Sequence, residues 1–387
     1  MMHWKQYNLK SKLHYIGFIV SFLITCGILI LASPKIQNVN VGLDFSGYNA
    51  FDHINAQLEL NTTHYRIPGS KGSQDCANYF QSEFLKIDSN ITRISHNFTI
   101  NSVNCQNVLF KMNEDSENIV ILAAHYDSRA RATKDPNPAL RSNPIPGAND
   151  GASGCAVLLE LARALHTRIE DIDCQLWFLF FDAEDQGYDY GGYGMDGWDW
   201  CEGSNKFVED IDLFYDSNEE EFDCIILFDM VGGVNLQFIA EQYSTSSLLD
   251  ELFEVGRKLG YFSQFPIYRT SKSIIDDHVP FVNIGIPSAD LIINFWDNPG
   301  WPYHHTVNDD NNSISTNSLE ITGKTVEQFL YNNYLNPFNL QYNGSAPWIF
   351  DMDALETEIA IFFVVMIIIL SIIGSSSHYY KKRKRIS

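Results

Sequence analysis

Carboxylates and imidazoles recur in this chain at the ends of short apolar runs, where they can hold a cation. Residues 119–124 run into His125-Tyr126-Asp127. Residues 175–181 run into Asp182-Ala183-Glu184-Asp185, and residues 224–228 into Asp229. A glycine-rich stretch, Pro146-Gly147-Ala148-Asn149-Asp150-Gly151-Ala152-Ser153-Gly154, delivers Asp150 just ahead of an apolar helix-like segment. Glycines there let the backbone approach a neighbour closely, and a helix N-terminus favours anionic groups. A late loop, Tyr303-His304-His305-Thr306, adds a second imidazole. The convergent set is His125, Asp150, Asp185, Asp229 and His305. Two histidines and several carboxylates with no thiolate suit zinc; two metals bridged by a carboxylate are equally open. Glu184, beside a metal-bound Asp185, is the natural general base. Singly, each residue has a plainer explanation: a hydrogen-bonded histidine, a helix cap at Asp229, an exposed acidic pair at 184–185. Together they call for a cation, because acids at three strand ends would repel one another without one.

The elements that must position them are legible from periodicity. The run at 119–124 is short and continuously apolar, as in a strand buried on both faces. Residues 175–181, 224–228 and 288–293 read the same way, and residues 91–100 and 107–112 alternate like strands. Helical patterns occupy 74–86, 152–165 and 245–259, and 314–335 supplies a closing helix. Residues 33–60 read as a stalk leading into a helix, and residues 65–70 as a turn. Strand and helix in alternation predict an α/β domain with a central, largely parallel sheet flanked by helices. Open α/β sheets place ligands beyond the carboxyl ends of their strands, so the runs, the Asp150 turn and the late loop meet in one crevice.

Ala124-His125-Tyr126-Asp127-Ser128, Gly147-Ala148-Asn149-Asp150-Gly151-Ala152, Phe181-Asp182-Ala183-Glu184-Asp185, Asp229-Met230 and His305-Thr306 resemble, in this order, the motifs of metallopeptidase family twenty-eight. That family holds zinc aminopeptidases and secretory-type glutaminyl cyclases. The resemblance covers residues 65–335 and implies an aminopeptidase-like three-layer α/β fold. It places Asp150, Asp185 and His305 on one zinc, with His125 and Asp229 completing a second site in dizinc members, and makes Glu184 the catalytic glutamate. The position of Asp185 is usually glutamate, so that ligand is one methylene shorter here. Ile275-Asp276-Asp277-His278-Val279-Pro280-Phe281 is similar to a cyclase segment whose first aspartate shares a proton network, here Asp276 with Asp229; Gly285-Ile286-Pro287 follows in the same order. The cyclases place a tryptophan before the last histidine ligand, where this chain has His304; Trp301 and Tyr303 are candidates to replace it. Cys155 matches one half of a cyclase disulfide whose partner position is Ala124, so that bridge cannot form. An aromatic insertion over residues 188–200, interleaved with glycines, reads as a loop walling a pocket. The expected substrate pocket is Trp198, Trp301, Tyr303 and His304.

The chain has 387 residues and a net charge of −22, which argues against nucleic acid and anionic lipid as partners. Seven cysteines are too few for a disulfide scaffold. Cys76 and Cys105 could pair in an oxidising compartment, whereas Cys174 and Cys224 read as buried thiols. Residues 16–32 form an uncharged apolar run of about 17 residues, just long enough to span a bilayer; a cleaved signal peptide ending near Leu31-Ala32-Ser33 is the competing reading. A second run covers 359–374 and is followed by Lys381-Lys382-Arg383-Lys384-Arg385. Basic residues on the terminal side of both runs place both termini in the cytoplasm and the middle outside. Asn61, Asn90, Asn97, Asn311 and Asn343 match the glycosylation pattern.

These readings give a basic tail and membrane anchor over 1–33, a catalytic domain over 34–340, a linker over 341–358, a membrane helix over 359–374 and a basic tail over 375–387. The expected activity is that of a membrane-anchored zinc enzyme on peptide N termini. The leading form closes N-terminal glutamine to pyroglutamate with one zinc, Glu184 and Asp276 serving catalysis. The second form is a dizinc aminopeptidase, and the third a silent receptor-like ectodomain.

Overall fold

The computed structural model describes residues 41–62, 65–298 and 300–335. The two expected membrane runs, the linker and both basic tails lie outside these. Among the described residues no helix is long and apolar enough to cross a membrane.

One six-stranded sheet organises the domain. Its strands are β1 (Ile94–Ile100), β2 (Val103–Met112), β3 (Asn118–His125), β4 (Gln175–Phe181), β5 (Glu221–Asp229) and β6 (Ser288–Ile292), in the order β1-β2-β4-β3-β5-β6. The β4-β3-β5-β6 block is parallel, while β1 and β2 form an antiparallel hairpin added at one edge. β3, β4, β5 and β6 are therefore the strands whose carboxyl ends share one side.

Helices cover both faces. On one face lie α1 (Gly47–Glu59), α2 (Lys71–Ile87), α3 (Ala152–His166) and α7 (Thr316–Tyr334). Phe80 and Phe84 of α2 stack on Phe180 of β4 and Phe110 of β2, with ring centroids 4.2 and 4.0 Å apart. On the other face α4 (Glu202–Glu209) and the short α6 (Val279–Asn283) pack Phe207 and Phe281 against Ile121, Trp177, Leu179 and Ile225. α5 (Ser246–Lys258) lies against α7 and β6. β3 and β4 are buried almost throughout, so their continuous apolar runs follow from two covered faces rather than one.

The helix that follows Asp150 approaches the sheet at backbone distance. A Cβ on Gly154 would lie 2.1 Å from the Phe228 carbonyl oxygen and 2.8 Å from the Ala124 Cβ. Gly154 thus brings α3 down onto β3 and β5, the two strands that carry His125 and Asp229.

The expected Cys76–Cys105 pairing is not made. Cys76 on α2 turns its Sγ toward Gln57, and Cys105 on β2 toward the Val103 carbonyl. Both are buried free thiols, as are Cys174 and Cys224. Of the asparagines in glycosylation patterns, Asn90, Asn97 and Asn311 lie exposed.

Two outcomes test this packing. Gly154→Ala overfills the α3–sheet contact and lowers stability by about 1–3 kcal/mol, read as a lower urea midpoint. His53 on α1 meets the Tyr79 hydroxyl on α2 at 2.6 Å, and burial holds its imidazole below 6.5. The unfolded chain then binds that proton more readily, so this contribution is present above pH 6.5 and is lost as pH falls through the lowered folded value. His53→Gln should flatten the pH dependence of stability below 6.5, with Tm against pH as the measurement.

Candidate metal centre

Each candidate side chain is delivered by a strand end or a loop beyond one. His125 is the last residue of β3 and Asp229 the last of β5. The chain then turns sharply. Ala183 after β4 has φ +64°, Met230 after β5 has φ +50°, and His305 itself has φ +56°. Left-handed backbone at residues other than glycine costs about 1–3 kcal/mol each and clusters where side chains must be aimed.

Asp150 stands at the centre. Gly151 caps α3 at φ +96°, and a Cβ there would lie 2.6 Å from the Asp127 carbonyl and 3.1 Å from the His125 ring. The Asn149 and Asp150 amides donate to the two oxygens of Asp309, at 2.8 and 3.0 Å. Arg66, fully buried, donates to the carbonyls of Tyr126, Pro146 and Gly147, tying the turn to the end of β3.

Two groups of ligand atoms share this aspartate. His125 Nε2 lies 3.3 Å from Asp150 Oδ1 and 3.2 Å from Asp229 Oδ1. His305 Nε2 lies 3.7 Å from Asp150 Oδ2 and 3.0 Å from Asp185 Oδ1. Although Asp185 is one methylene shorter than the glutamate of the resembling family, it reaches His305 directly. The five residues expected as ligands are therefore together, and all are buried. Asp150 Oδ2 and Asp185 Oδ2 have no hydrogen-bond partner, a costly state for a buried carboxylate oxygen. A donor set of imidazole and carboxylate, with orphaned oxygens aimed inward, fits one zinc ion, or two bridged by Asp150.

Behind each imidazole stands a carboxylate. His305 Nδ1 meets Asp189 at 2.7 Å, and His125 Nδ1 meets Asp127 at 3.4 Å. Such partners fix the tautomer and leave Nε2 free for a metal. Asp127 also accepts from the Glu184 and Asp185 amides at 3.0 and 3.2 Å, so it shapes the 184–185 turn. Arg129, fully buried, donates to Asp185 Oδ1 at 3.1 Å and to the carbonyls of Asp185, Gly187 and Gly192. In the sequence Asp127 stands only as part of a motif, and Arg129, Asp189 and Asp309 carry no signal of their own. A buried arginine has no local signature, and Asp189 was hidden inside the aromatic insertion.

Glu184 is 8% exposed, and burial, opposed in part by His125, pushes its carboxyl well above the usual range. Burial and then the Asp229 charge push Asp276 up to about 8, and Asp229 itself rises to about 6. Asp182, quoted with Glu184, turns away and accepts from the Gln106 amide at 3.1 Å.

The four expected pocket residues separate. His304 and Tyr303 are half-buried; the His304 ring lies against His305, tilted by 36° with centroids 3.6 Å apart, and its Nδ1 meets Lys134. Trp198 instead packs into a satellite core with Ile100, Cys105 and Ala183. Trp301 is fully buried against Gly233. The indole that faces the centre is Trp200, parallel to His305 at 5.9 Å and covered by Arg129 at 4.9 Å. Alternation of glycine and aromatic residues in the insertion did not tell which indole turns in.

An open α/β sheet with a carboxylate–imidazole centre beyond its parallel strand ends defines the class of molecule. The chain belongs to Peptidase family M28, whose model matches residues 107–330. The solved structure of Bacteroides thetaiotaomicron glutaminyl cyclase bound to N-acetylhistamine is 28% identical, with TM-score 0.67, covering 76% of this chain and 99% of that one. A Zn-dependent exopeptidase from Parabacteroides distasonis is equally similar, at 28% identity and TM-score 0.66, covering 75% and 99%. The glutaminyl-peptide cyclotransferase of Gloydius blomhoffii is 24% identical over 253 residues, 59% of this chain and 66% of that relative. The chain thus spans slightly less than two thirds of that relative's length.

If Asp189 orients His305 for a metal, Asp189→Ala should weaken zinc retention by roughly 10- to 100-fold, measured by chelator competition. Unchanged retention would reduce Asp189 to a packing role.

Proposed function

We propose that the chain is a zinc-dependent enzyme acting on peptide N termini, and that its reaction closes N-terminal glutamine to pyroglutamate with release of ammonia. The observation that carries this reading is the buried carboxyl pair Glu184 and Asp276, whose oxygens come within 4.8 Å of each other, with Glu184 3.9 Å from the His125 ring. Asp150, Asp185 and His305 would hold the zinc, which when bound supplies Lewis-acid polarisation of the side-chain amide carbonyl. Glu184 takes a proton from the attacking α-amine and gives it to the leaving nitrogen, so the C–N bond of the ring forms as the amide C–N bond breaks and ammonia departs. Asp276 shares the protons of Glu184 and Asp229 and keeps Glu184 able to do both. Trp200 and His304, both packed on His305, form the near wall against which a side chain rests.

A specific feature supports a second reading. His125, Asp150 and Asp229 make a further ligand group sharing Asp150, the arrangement a dizinc aminopeptidase needs. In that reaction Glu184 would serve water as base and the released amine as acid. The same residues serve both chemistries. A silent ectodomain is disfavoured because a structural zinc has no use for Glu184.

We also propose that residues 16–32 and 359–374 anchor the enzyme in a membrane, with both termini cytoplasmic and the catalytic domain outside. The uncharged length of the runs and the basic residues flanking them support this. Exposed Asn90, Asn97 and Asn311 would then be open to glycosylation.

The deciding experiment supplies zinc and two peptides, one beginning with glutamine and one with leucine, and reads products by mass spectrometry. Loss of ammonia from the glutamine peptide alone is the expected result; removal of a whole first residue overturns the cyclase in favour of the aminopeptidase. Glu184→Gln should lower turnover by about 10²–10⁴-fold with zinc content unchanged, and Asp150→Asn should lose zinc and activity together.

A further inference from the structure

Cys201 sits where α4 begins, with φ +59°, its amide donating to the Glu184 carbonyl at 3.0 Å. Its Sγ lies 3.7 Å from Glu184 Oε1. Ligand atoms of Glu184, Cys201 and Asp276 all fall within 4.8 Å of one another, and the three side chains are 8, 1 and 2% exposed. Asp276 accepts the Asp277 amide on Oδ1 at 2.6 Å, while its Oδ2 has no partner. A buried cysteine ordinarily serves as a small apolar filler. Here its neighbours are two carboxyl groups, one carrying an orphaned oxygen, which is a poor setting for a filler and a good one for a cation.

We infer that Glu184, Cys201 and Asp276 form a separate site for a borderline-to-soft divalent cation, cadmium or zinc supplied in excess, whose occupation silences the enzyme by engaging Glu184. One sulfur and two carboxylates make a mixed donor set that suits such ions better than calcium or magnesium. This set differs from that of the main centre, which offers only imidazole and carboxylate. Binding exchanges the thiol proton, and any proton carried by the two raised carboxyl groups, for the metal and releases them to solvent. Burial, and then the charges of Glu184, Asp277 and Asp276, hold that thiol protonated otherwise, so the site answers to cations rather than to oxidants, which need a thiolate. The silencing effect rests on the catalytic role proposed for Glu184; the cation site itself does not.

The test titrates zinc-loaded, full-length protein with cadmium chloride and reads two signals: the near-ultraviolet thiolate-to-cadmium charge-transfer band, and release of ammonia from a glutamine-initiated peptide. A band saturating at one cadmium per chain is expected, with turnover falling in step. Cadmium that merely replaces zinc in the main centre meets no sulfur there and gives no band. Cys201→Ser should abolish the band and raise the cadmium concentration needed for inhibition by at least about tenfold, the loss that even an outer partner of a metal ligand causes. Cys201→Ala should do the same, and a zinc content matching wild type in either variant shows that the main centre is intact. No band in the wild type, or a band that survives both variants, overturns the site. A band that forms and vanishes as expected while neither peptide is turned over upholds the site and sinks the enzymatic reading instead.

Discussion

Negative charge is crowded around Asp150. His125 and His305 both turn Nε2 toward that carboxylate, and Asp185, Asp229 and Glu184 lie within the same buried volume. So many acids at so short a range are tolerated only with positive charge among them. The protein supplies part of it through the two imidazoles, whose affinity for protons the carboxylates raise against the pull of burial. Arg129 supplies another part on the Asp185 side. Asp150 Oδ2 and Asp185 Oδ2 remain without partners, and these a metal would satisfy.

The fold answers that crowding by taking freedom away from these side chains. Asp150 cannot shift, because Asp309 holds its amide, Gly151 lets α3 begin against the His125 ring, and Gly154 seats the helix on the sheet. His305 is held by Asp189 and flanked by Trp200 and His304. The cost is visible in the backbone: Ala183, Cys201, Met230 and His305 all adopt left-handed conformations around the centre, strain that the packed sheet beneath absorbs.

The aromatic insertion connects these layers to specificity. It pairs Tyr188–Asp189 with Gly192–Tyr193 in a small antiparallel ribbon and turns Asp189 and Trp200 inward, while Tyr190 stays fully exposed. One loop thereby both orients the His305 ring and covers it with an indole.

The strands, the order of the motifs and the convergence of five residues were legible in the chain, because continuous apolar runs demand a sheet covered on both faces and their carboxyl ends must share one side. Gly154 and Asp150 were legible for the same reason: a glycine-rich turn before an apolar helix has a local physical meaning. Long-range packing set which groups stand behind those five residues and which aromatic faces the centre. Arg66, Arg129, Asp189 and Asp309 act across separations of about 60 to 160 residues, and no periodicity records a partner that far away. Trp198 and Trp200 differ by two positions in one loop, yet one is sealed into a satellite core and the other lies over His305. That choice is made by the packing of Ile100, Cys105 and Ala183 around Trp198, and by the room that Gly187 leaves beneath the Trp200 ring.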